Sequence, residues 1–165
     1  MVATLFVQID GVAGDSIEKN HDKWIIVDSV DFGLARNSEQ EGGVISRGFG
    51  KTVFQAIEFS SEVGKHSGPL MTASATGKVY KKIVIDQCKA GEEENTALEV
   101  YVKWTLENAM IQSYRISGSA DDIPKETWSV KYGKVKFEYS ETDPKTMKLT
   151  KSKEFSWDVG AGSMG

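Results

Sequence analysis

Apolar and polar residues alternate most regularly along residues 98–107, in the second half of the chain. Five apolar side chains occupy every second position, and the residues between them are charged or carry a hydroxyl group. Because successive side chains of a β-strand point to opposite faces, this alternation predicts a strand with one dry face and one wetter face. The apolar residues are Leu98, Val100, Val102, Trp104 and Leu106.

The residues before this strand predict its partner in an antiparallel hairpin. Residues 79–89 are apolar on both faces at their centre and rich in β-branched side chains, which is typical of a strand inside a sheet. The connection between the two strands, residues 90–95, is charged and longer than a tight two-residue turn. We therefore predict a long β-hairpin over residues 77–116, around which the other elements are arranged.

Two interruptions of the alternation predict places where strands bend. After Asn108, both Met110 and Ile111 are apolar, as expected where a bulge or bend carries a strand onto another sheet. Along residues 128–139 the apolar positions change from even to odd numbers, with Gly133 at the change. This second interruption predicts a bulge that contains the glycine.

One helix and several further strands complete the predicted fold. Ser67 is predicted as the N-cap of the helix, Pro69 suits its first turn, and Gly77 can end it in the left-handed conformation. Leu70, Met71 and Ala73 are expected to face the core. Strands are predicted at residues 5–9, 24–34, 51–59 and 155–159, a loop at residues 117–122, and a polar connection at residues 140–153.

These elements predict a mainly β fold, a two-sheet β-barrel or sandwich with one short flanking α-helix. Residues 36–50 add a long extended loop, in which a polar stretch precedes Val44, Ile45 and Phe49. A loop of this length in a compact domain is uncommon unless it has a function or is disordered. It is a plain surface loop or a segment that docks a partner.

Length and composition favour a single domain, residues 1–160, followed by a flexible glycine-rich tail, residues 161–165. The net charge of -4 is mixed along the chain, so we expect no nucleic-acid partner. We also expect no membrane insertion and no cleavable signal peptide, because no long apolar run is present. The single cysteine is compatible with folding in a reducing cytoplasm.

The sequence offers little for catalysis or for metal binding. His21 and His66 are far apart, lack cysteine or carboxylate partners at metal-ligand spacing, and are interpreted as surface residues. Cys88 lies on a predicted strand without an activating signature, so we expect a buried, inert thiol. We therefore identify no catalytic residue, no cofactor site and no metal site.

An ordered set of segments resembles the haemolysin-coregulated protein (Hcp) family, the tube proteins of type VI secretion. No single motif is diagnostic, but the segments follow one another over nearly the whole chain without large gaps. The departures lie in the long loop and in residues 140–153. The matching positions are residues 6–12, 14–16, His21, 24–27, 32–33, 69–71, Ser74, 77–80, 89–91, 98–106, 113–114, 117–118, Glu126, 128–139 and Trp157.

The resemblance implies homohexameric rings of a small two-sheet β-barrel, similar in fold to phage tail-tube proteins. The rings stack into a hollow tube inside a contractile sheath and under a spike, and the tube is fired into a target cell. The lumen of the tube holds and stabilises some effector proteins. The subunit is structural, cytoplasmic before export, and then secreted without a cleavable signal peptide.

Two sets of residues acquire roles under this resemblance. Ser29 and Asp31 share the wetter face of the predicted strand over residues 24–34 and are expected to face the lumen. The long loop is expected to reach a neighbouring ring. Its ring-stacking residues are Ser38, Glu39, Gln40, Glu41, Gly42, Gly43, Val44 and Ile45.

Other functions stay open at this point. A monomeric β-barrel that binds a small ligand is the main alternative, and it would need an apolar cavity rather than a long docking loop. A hydrolase would need clustered histidine and carboxylate residues, for which the sequence offers little. Within the secretion system, the protein is either the main tube subunit or a specialised effector carrier.

Overall fold

The computed structural model describes residues 4–36, 40–41, 44–45, 52–91 and 98–162. In this part of the chain there are fourteen β-strands and one α-helix, α1 (Ser67–Thr76), which lies between the eighth and ninth strands. The strands are β1 (Leu5–Ile9), β2 (Ile25–Ile26), β3 (Ser29–Asp31), β4 (Leu34–Arg36), β5 (Gln40–Glu41), β6 (Val44–Ile45), β7 (Thr52–Phe54), β8 (Ile57–Glu62), β9 (Val79–Lys89), β10 (Glu99–Ser119), β11 (Asp122–Lys131), β12 (Lys134–Thr142), β13 (Leu149–Lys151) and β14 (Phe155–Asp158).

The predicted central hairpin is confirmed. β9 pairs antiparallel with β10 from the Lys89–Glu99 pair to the Val79–Met110 pair, with one irregularity between Val100 and Val102. β1 pairs with the other side of β9, so β9 lies inside the sheet, as its apolar centre predicted.

The predicted bend in β10 is also confirmed, at Asn108. The first half of β10 pairs with β12, whereas the second half pairs with β11. Asn108 has a φ of 51°, and the N–H of Gly133 donates to the carbonyl oxygens of Glu107 (2.9 Å) and Asn108 (3.1 Å). These hydrogen bonds join the bend in β10 to Gly133. Gly133 marks a break between β11 and β12 rather than the predicted bulge. A Cβ at Gly133 would lie 3.2 Å from the Cβ of Asn108, which favours glycine here.

Ten strands form one sheet, and the strands at its two ends, β2 and β3, follow each other directly in the chain. The main strand order is β2-β1-β9-β10-β11-β8-β3, and β12, β13 and β14 branch from β10. No pairing joins β2 to β3 in the part of the chain that the structure describes, so the sheet is not a closed barrel. However, the N–H of Val27 donates to Leu5 O and that of Asp28 to Ser60 O, so residues 25–31 pass from one end of the sheet to the other. The sandwich-like fold confirms the predicted mainly β class.

The core fills the inside of this sandwich and is covered at one side by α1. It is lined by alternate residues of β1, β8, β9, β10 and β11, together with Leu70 and Ala73 of the helix. Phe6 of β1 points to the opposite face and is still buried, because residues 10–24 fold over it and stack His21 on its ring at 4.5 Å. β1 and β9 are thus covered on both faces. The division into a domain of residues 1–160 and a tail of residues 161–165 stays a prediction.

Several predicted elements need correction. The predicted strand over residues 24–34 is instead β2, β3 and the start of β4, because this segment changes its pairing partner from β1 to β8 and then to β7. The predicted loop at residues 117–122 is a hairpin in which Ser119 pairs with Asp122. The predicted connection at residues 140–153 contains the end of β12 and all of β13, which pair with each other. Polar, exposed hairpins lack the apolar alternation that reveals a strand.

The helix ends as predicted but begins one residue earlier than expected. Gly77 is the C-cap, with a φ of 68°, and its N–H donates to the carbonyl oxygen of Ala73. His66 is the N-cap residue, and Ser67 is the first helical residue, so the predicted N-cap was wrong. Pro69 lies in the first turn, as predicted. Met71 is 41 % exposed and does not face the core.

Candidate functional site

A polar face extends across four neighbouring strands, β3, β8, β11 and β10. Directly opposite residues of an antiparallel sheet share a face, so the pairings place the side chains of this surface in two rows. All eight side chains are exposed or half-buried. The rows are Ser29, Ser60, Thr127 and Arg115, and then Asp31, Glu58, Ser129 and Ser113.

Ser29 and Asp31 lie at the edge of this polar face, and both are exposed. The hydroxyl groups of Ser29 and Ser60 are 2.5 Å apart, and those of Ser113 and Ser129 are 2.6 Å apart. The wetter strand face that the sequence indicated is therefore part of a wide hydrophilic surface. The lumen-facing role of Ser29 and Asp31 stays a prediction.

Half of the eight predicted ring-stacking residues fall outside the described residues. Ser38, Glu39, Gly42 and Gly43 lie outside them. Gln40 pairs with Ile45, and Glu41 pairs with Val44, which forms a small two-stranded sheet. The loop that carries them leaves from β4 and returns at β7, whose last pair is Arg36 with Thr52.

A buried cluster around Glu126 joins the helix to the sheet. The Glu126 carboxylate is 1 % exposed and accepts hydrogen bonds from Ser61 Oγ (2.7 Å) and Ser67 Oγ (2.8 Å). It also accepts hydrogen bonds from His66 Nε2 and from the hydroxyl group of Tyr114. One carboxylate on β11 thereby holds β8, the start of α1 and β10 together.

The hydrogen bonds of this cluster set the ionisation of its members. Burial by itself would raise the pKa of the Glu126 carboxyl. The donated hydrogen bonds, led by that of His66, outweigh burial and hold this pKa below its ordinary value. Burial, together with the bond to Glu126, raises the pKa of Tyr114 to about 12. Glu126 is therefore ionised at neutral pH, and the hydroxyl group of Tyr114 keeps its proton. Each hydroxyl group donates to the carboxylate and is not set up as a nucleophile.

A second buried cluster surrounds His21 on the other face of β1 and β9. Its Nδ1 lies 2.5 Å from Glu18 Oε2, and its Nε2 lies 3.0 Å from Asp86 Oδ2. The imidazole ring also packs edge-on against Trp24, at 4.7 Å between ring centres. These contacts fix the connection of residues 10–24 on the sheet.

Both histidines are buried, His21 at 1 % and His66 at 2 % exposure, so their interpretation as surface residues was wrong. His66 is paired with Glu126, 60 positions away, and His21 with Asp86, 65 positions away, which no local spacing pattern shows. His21 also has a local partner, Glu18, three positions before it. The sequence did contain one signal. Glu126 has the same strand phase as Trp128 and Val130, which predicts a carboxylate that points into the core and needs a partner.

Cys88 is buried, as predicted, and its Sγ lies 3.9 Å from His21 Nε2. Burial, with further contributions from Asp86 and Glu18, raises the pKa of its thiol to about 12, so it stays protonated and unreactive. Among the described residues, no three histidine, cysteine or carboxylate side chains are arranged to hold a metal ion. In the same part of the chain, no helix is long and apolar enough to cross a bilayer.

Comparison with known proteins adds to this geometry. The model of a protein family described as type VI secretion system effector, Hcp, matches residues 6–139. No curated protein sequence matches the chain.

Several solved structures share the fold. A type six secretion system protein has a TM-score of 0.87 at 21 % identity, over 99 % of this chain and 100 % of that chain. Hcp1 from Salmonella typhimurium has a TM-score of 0.74 at 22 % identity, over 99 % of both chains. A type VI secretion system effector from Yersinia pestis has a TM-score of 0.69 at 20 % identity, over 94 % of this chain and 99 % of that chain.

Proposed function

Since the chain belongs to the Hcp family of type VI secretion, we propose that it is a structural subunit of the secretion tube, without enzymatic activity. The resemblance found in the sequence is confirmed by this membership. Hcp proteins are tube proteins that assemble as homo-oligomers. The match of the family model over residues 6–139 is the observation that carries the proposal.

In this proposal six copies form a ring, and the rings stack into a hollow tube that is exported and carries effectors. Its partners are further copies of itself, the contractile sheath, the spike, and effector proteins in the lumen. The protein is cytoplasmic before export and is then secreted without a cleavable signal peptide. Residues 38–45 carry the contacts between stacked rings.

We place the polar face towards the lumen of the ring. A water-filled lumen needs a wide hydrophilic surface that lies on regular strands. The two rows of polar side chains on β3, β8, β11 and β10 provide such a surface. Ser29 and Asp31 lie at its edge, where they would contact cargo.

We expect Asp31→Arg to change which effectors the ring holds without unfolding the ring. Asp31 is exposed, so its replacement buries little area and should change stability by less than about 0.5 kcal/mol. Effector retention by purified rings should be measured for wild type, Asp31→Arg and the conservative variant Asp31→Asn. A loss of the folded ring in circular dichroism and sizing would instead give Asp31 a structural role.

The mass of the purified protein in solution tests the proposal directly. We expect light scattering to give about 109 kDa, six times the 18.1 kDa of one chain, and electron micrographs to show annular particles. A monomer over a wide concentration range would contradict the proposal and favour the small-ligand barrel. A mass of two or three chains would contradict the ring.

A further inference from the structure

An aromatic groove is exposed beside the last strand. It measures about 510 Å³ and is lined by Phe54, Trp157 and Val159, with Thr52 and residues 160–162 at its border. The ring of Phe54 lies 6.0 Å from that of Trp157 and 6.5 Å from that of Phe155, and Val159 is 36 % exposed. We call this surface the C-terminal groove. Half-buried aromatic side chains of this kind are enriched at the centres of protein interfaces.

An apolar projection lies elsewhere on the molecule. Beyond the Lys125–Glu62 pair, β10 and β11 continue without β8 and form a two-stranded hairpin around a turn at residues 120–121. On this hairpin Ile116 is 46 % exposed and Ile123 is 53 % exposed. We call residues 116–124 the hairpin tip. The two isoleucines lie on an otherwise polar, projecting hairpin. Their side chains contribute to stability only if another surface covers them and removes their apolar area from water.

The two surfaces lie at different ends of β10. The groove is built on β14, which pairs with β12, and β12 pairs with residues 102–107 of β10. The hairpin tip is the other end of β10, beyond the bend at Asn108. The tip is therefore poorly placed to reach the groove of its own chain. A closed ring needs such an arrangement, because its head-to-tail contacts join two different surfaces of each subunit.

We propose that the hairpin tip of one subunit inserts Ile123 and Ile116 into the C-terminal groove of its neighbour in the same ring. This inference rests on the proposed function. The occupant of the groove is a second copy of this chain, because the family assembles as homo-oligomers and the chain itself carries a matching apolar projection. Burial of the isoleucines against Phe54 and Trp157 would then supply an apolar centre of the ring contact.

Charged substitutions on either side of this contact provide the first test. We expect Ile123→Glu and, separately, Val159→Glu to lower the mass in light scattering from six chains to one, because each buries a carboxylate in the contact. Both residues are exposed in the single chain, so each variant should keep the circular dichroism of the wild type. Ile17→Glu is the matched control, since Ile17 is 93 % exposed and belongs to neither surface. Intact rings in both test variants would overturn the inference.

Cross-linking identifies the pair of surfaces. Under oxidation, Ile123→Cys combined with Val159→Cys should give covalent oligomers up to six chains on a non-reducing gel. Each single variant should give none, because Cys88 is buried with the pKa of its thiol raised to about 12. A ladder beyond six chains would place the contact between rings and overturn the assignment. If the wild type forms rings of six chains and the double variant gives no ladder, the assignment is overturned as well. A monomeric wild type would instead contradict the proposed function itself.

Discussion

Replacing Glu126 by alanine is expected to lower the free energy of unfolding by about 3 kcal/mol or more, because each buried donor left without an acceptor costs about 1–3 kcal/mol. The change removes the acceptor for three buried donors, on His66, Ser61 and Ser67. It also removes the acceptor for the half-buried hydroxyl group of Tyr114. A domain of this size has a total stability of about 5–15 kcal/mol, so the loss is a large fraction of it. Urea denaturation at fixed protein concentration measures the effect.

Two further variants serve as comparisons for Glu126→Ala: one removes a single donor of the cluster, and the other removes an exposed glutamate. Tyr114→Phe removes one donor to the carboxylate and should cost about 1 kcal/mol. Glu58→Ala removes the same residue type from the exposed face of β8 and should cost less than about 0.5 kcal/mol. If Glu126→Ala were as mild as Glu58→Ala, the cluster would not hold the helix on the sheet.

The lowered pKa of Glu126 makes the stability of the fold depend on pH in the acidic range. Because the hydrogen bonds hold the folded-state pKa below the ordinary value, Glu126 stabilises the fold fully above the unfolded pKa of glutamate, about 4.3. That stability is lost as the pH falls from there through the lower folded-state value. We expect the free energy of unfolding of the wild type to fall more steeply with pH in this range than that of Glu126→Gln. Equal slopes would contradict the lowered pKa.

Replacing residues 38–45 by a short Gly-Ser linker is expected to abolish tubes and secretion while rings stay intact. The loop leaves the fold at the Arg36–Thr52 pair, where neighbouring strands are about 5 Å apart, so a short linker can close it without strain on the sheet. Native mass, tube formation in electron micrographs and the amount of protein in the culture medium measure the three outcomes.

Two results would contradict this assignment. If the linker variant still secretes at the wild-type level, residues 38–45 do not carry the contacts between rings. If its rings dissociate, the loop belongs to the contact within a ring. Lys19→Ser, an exposed change in the connection of residues 10–24, is the control and should leave rings, tubes and secretion unchanged.

Local patterns were sufficient for the two strands of the central hairpin. The alternation over residues 98–107 predicted β10, and the apolar centre of residues 79–89 predicted β9. Their order along the chain predicted that the two strands pair with each other. The loss of phase at Asn108 predicted the bend there, whereas the loss of phase at Gly133 predicted a bulge where the structure has a break between β11 and β12. Neither pattern revealed that Gly133 is hydrogen-bonded to Asn108. A change in the alternation can be seen in the sequence of one strand. Which residue lies opposite that change depends on how the strands pair, and the sequence of one strand does not show this.

Short strands and exposed hairpins were harder to predict. Residues 24–34 have the composition of one strand, yet they pair in turn with β1, β8 and β7. Residues 117–122 look like a polar loop because no core covers them, and the structure shows a hairpin with one irregularity between Ser117 and Ser119. In both segments the pairing with distant strands decided the conformation, and local preference did not.

The sequence by itself determined the mainly β class, the central hairpin, the left-handed helix end at Gly77 and the resemblance to Hcp proteins, because these depend on local periodicity and on ordered motifs. Only the tertiary structure decided the surroundings of His21 and His66. A histidine has no strong local preference for the surface or the core, and its burial depends on whether a carboxylate such as Asp86 or Glu126 reaches it. Those partners lie on distant strands, so only the folded sheet brings them together.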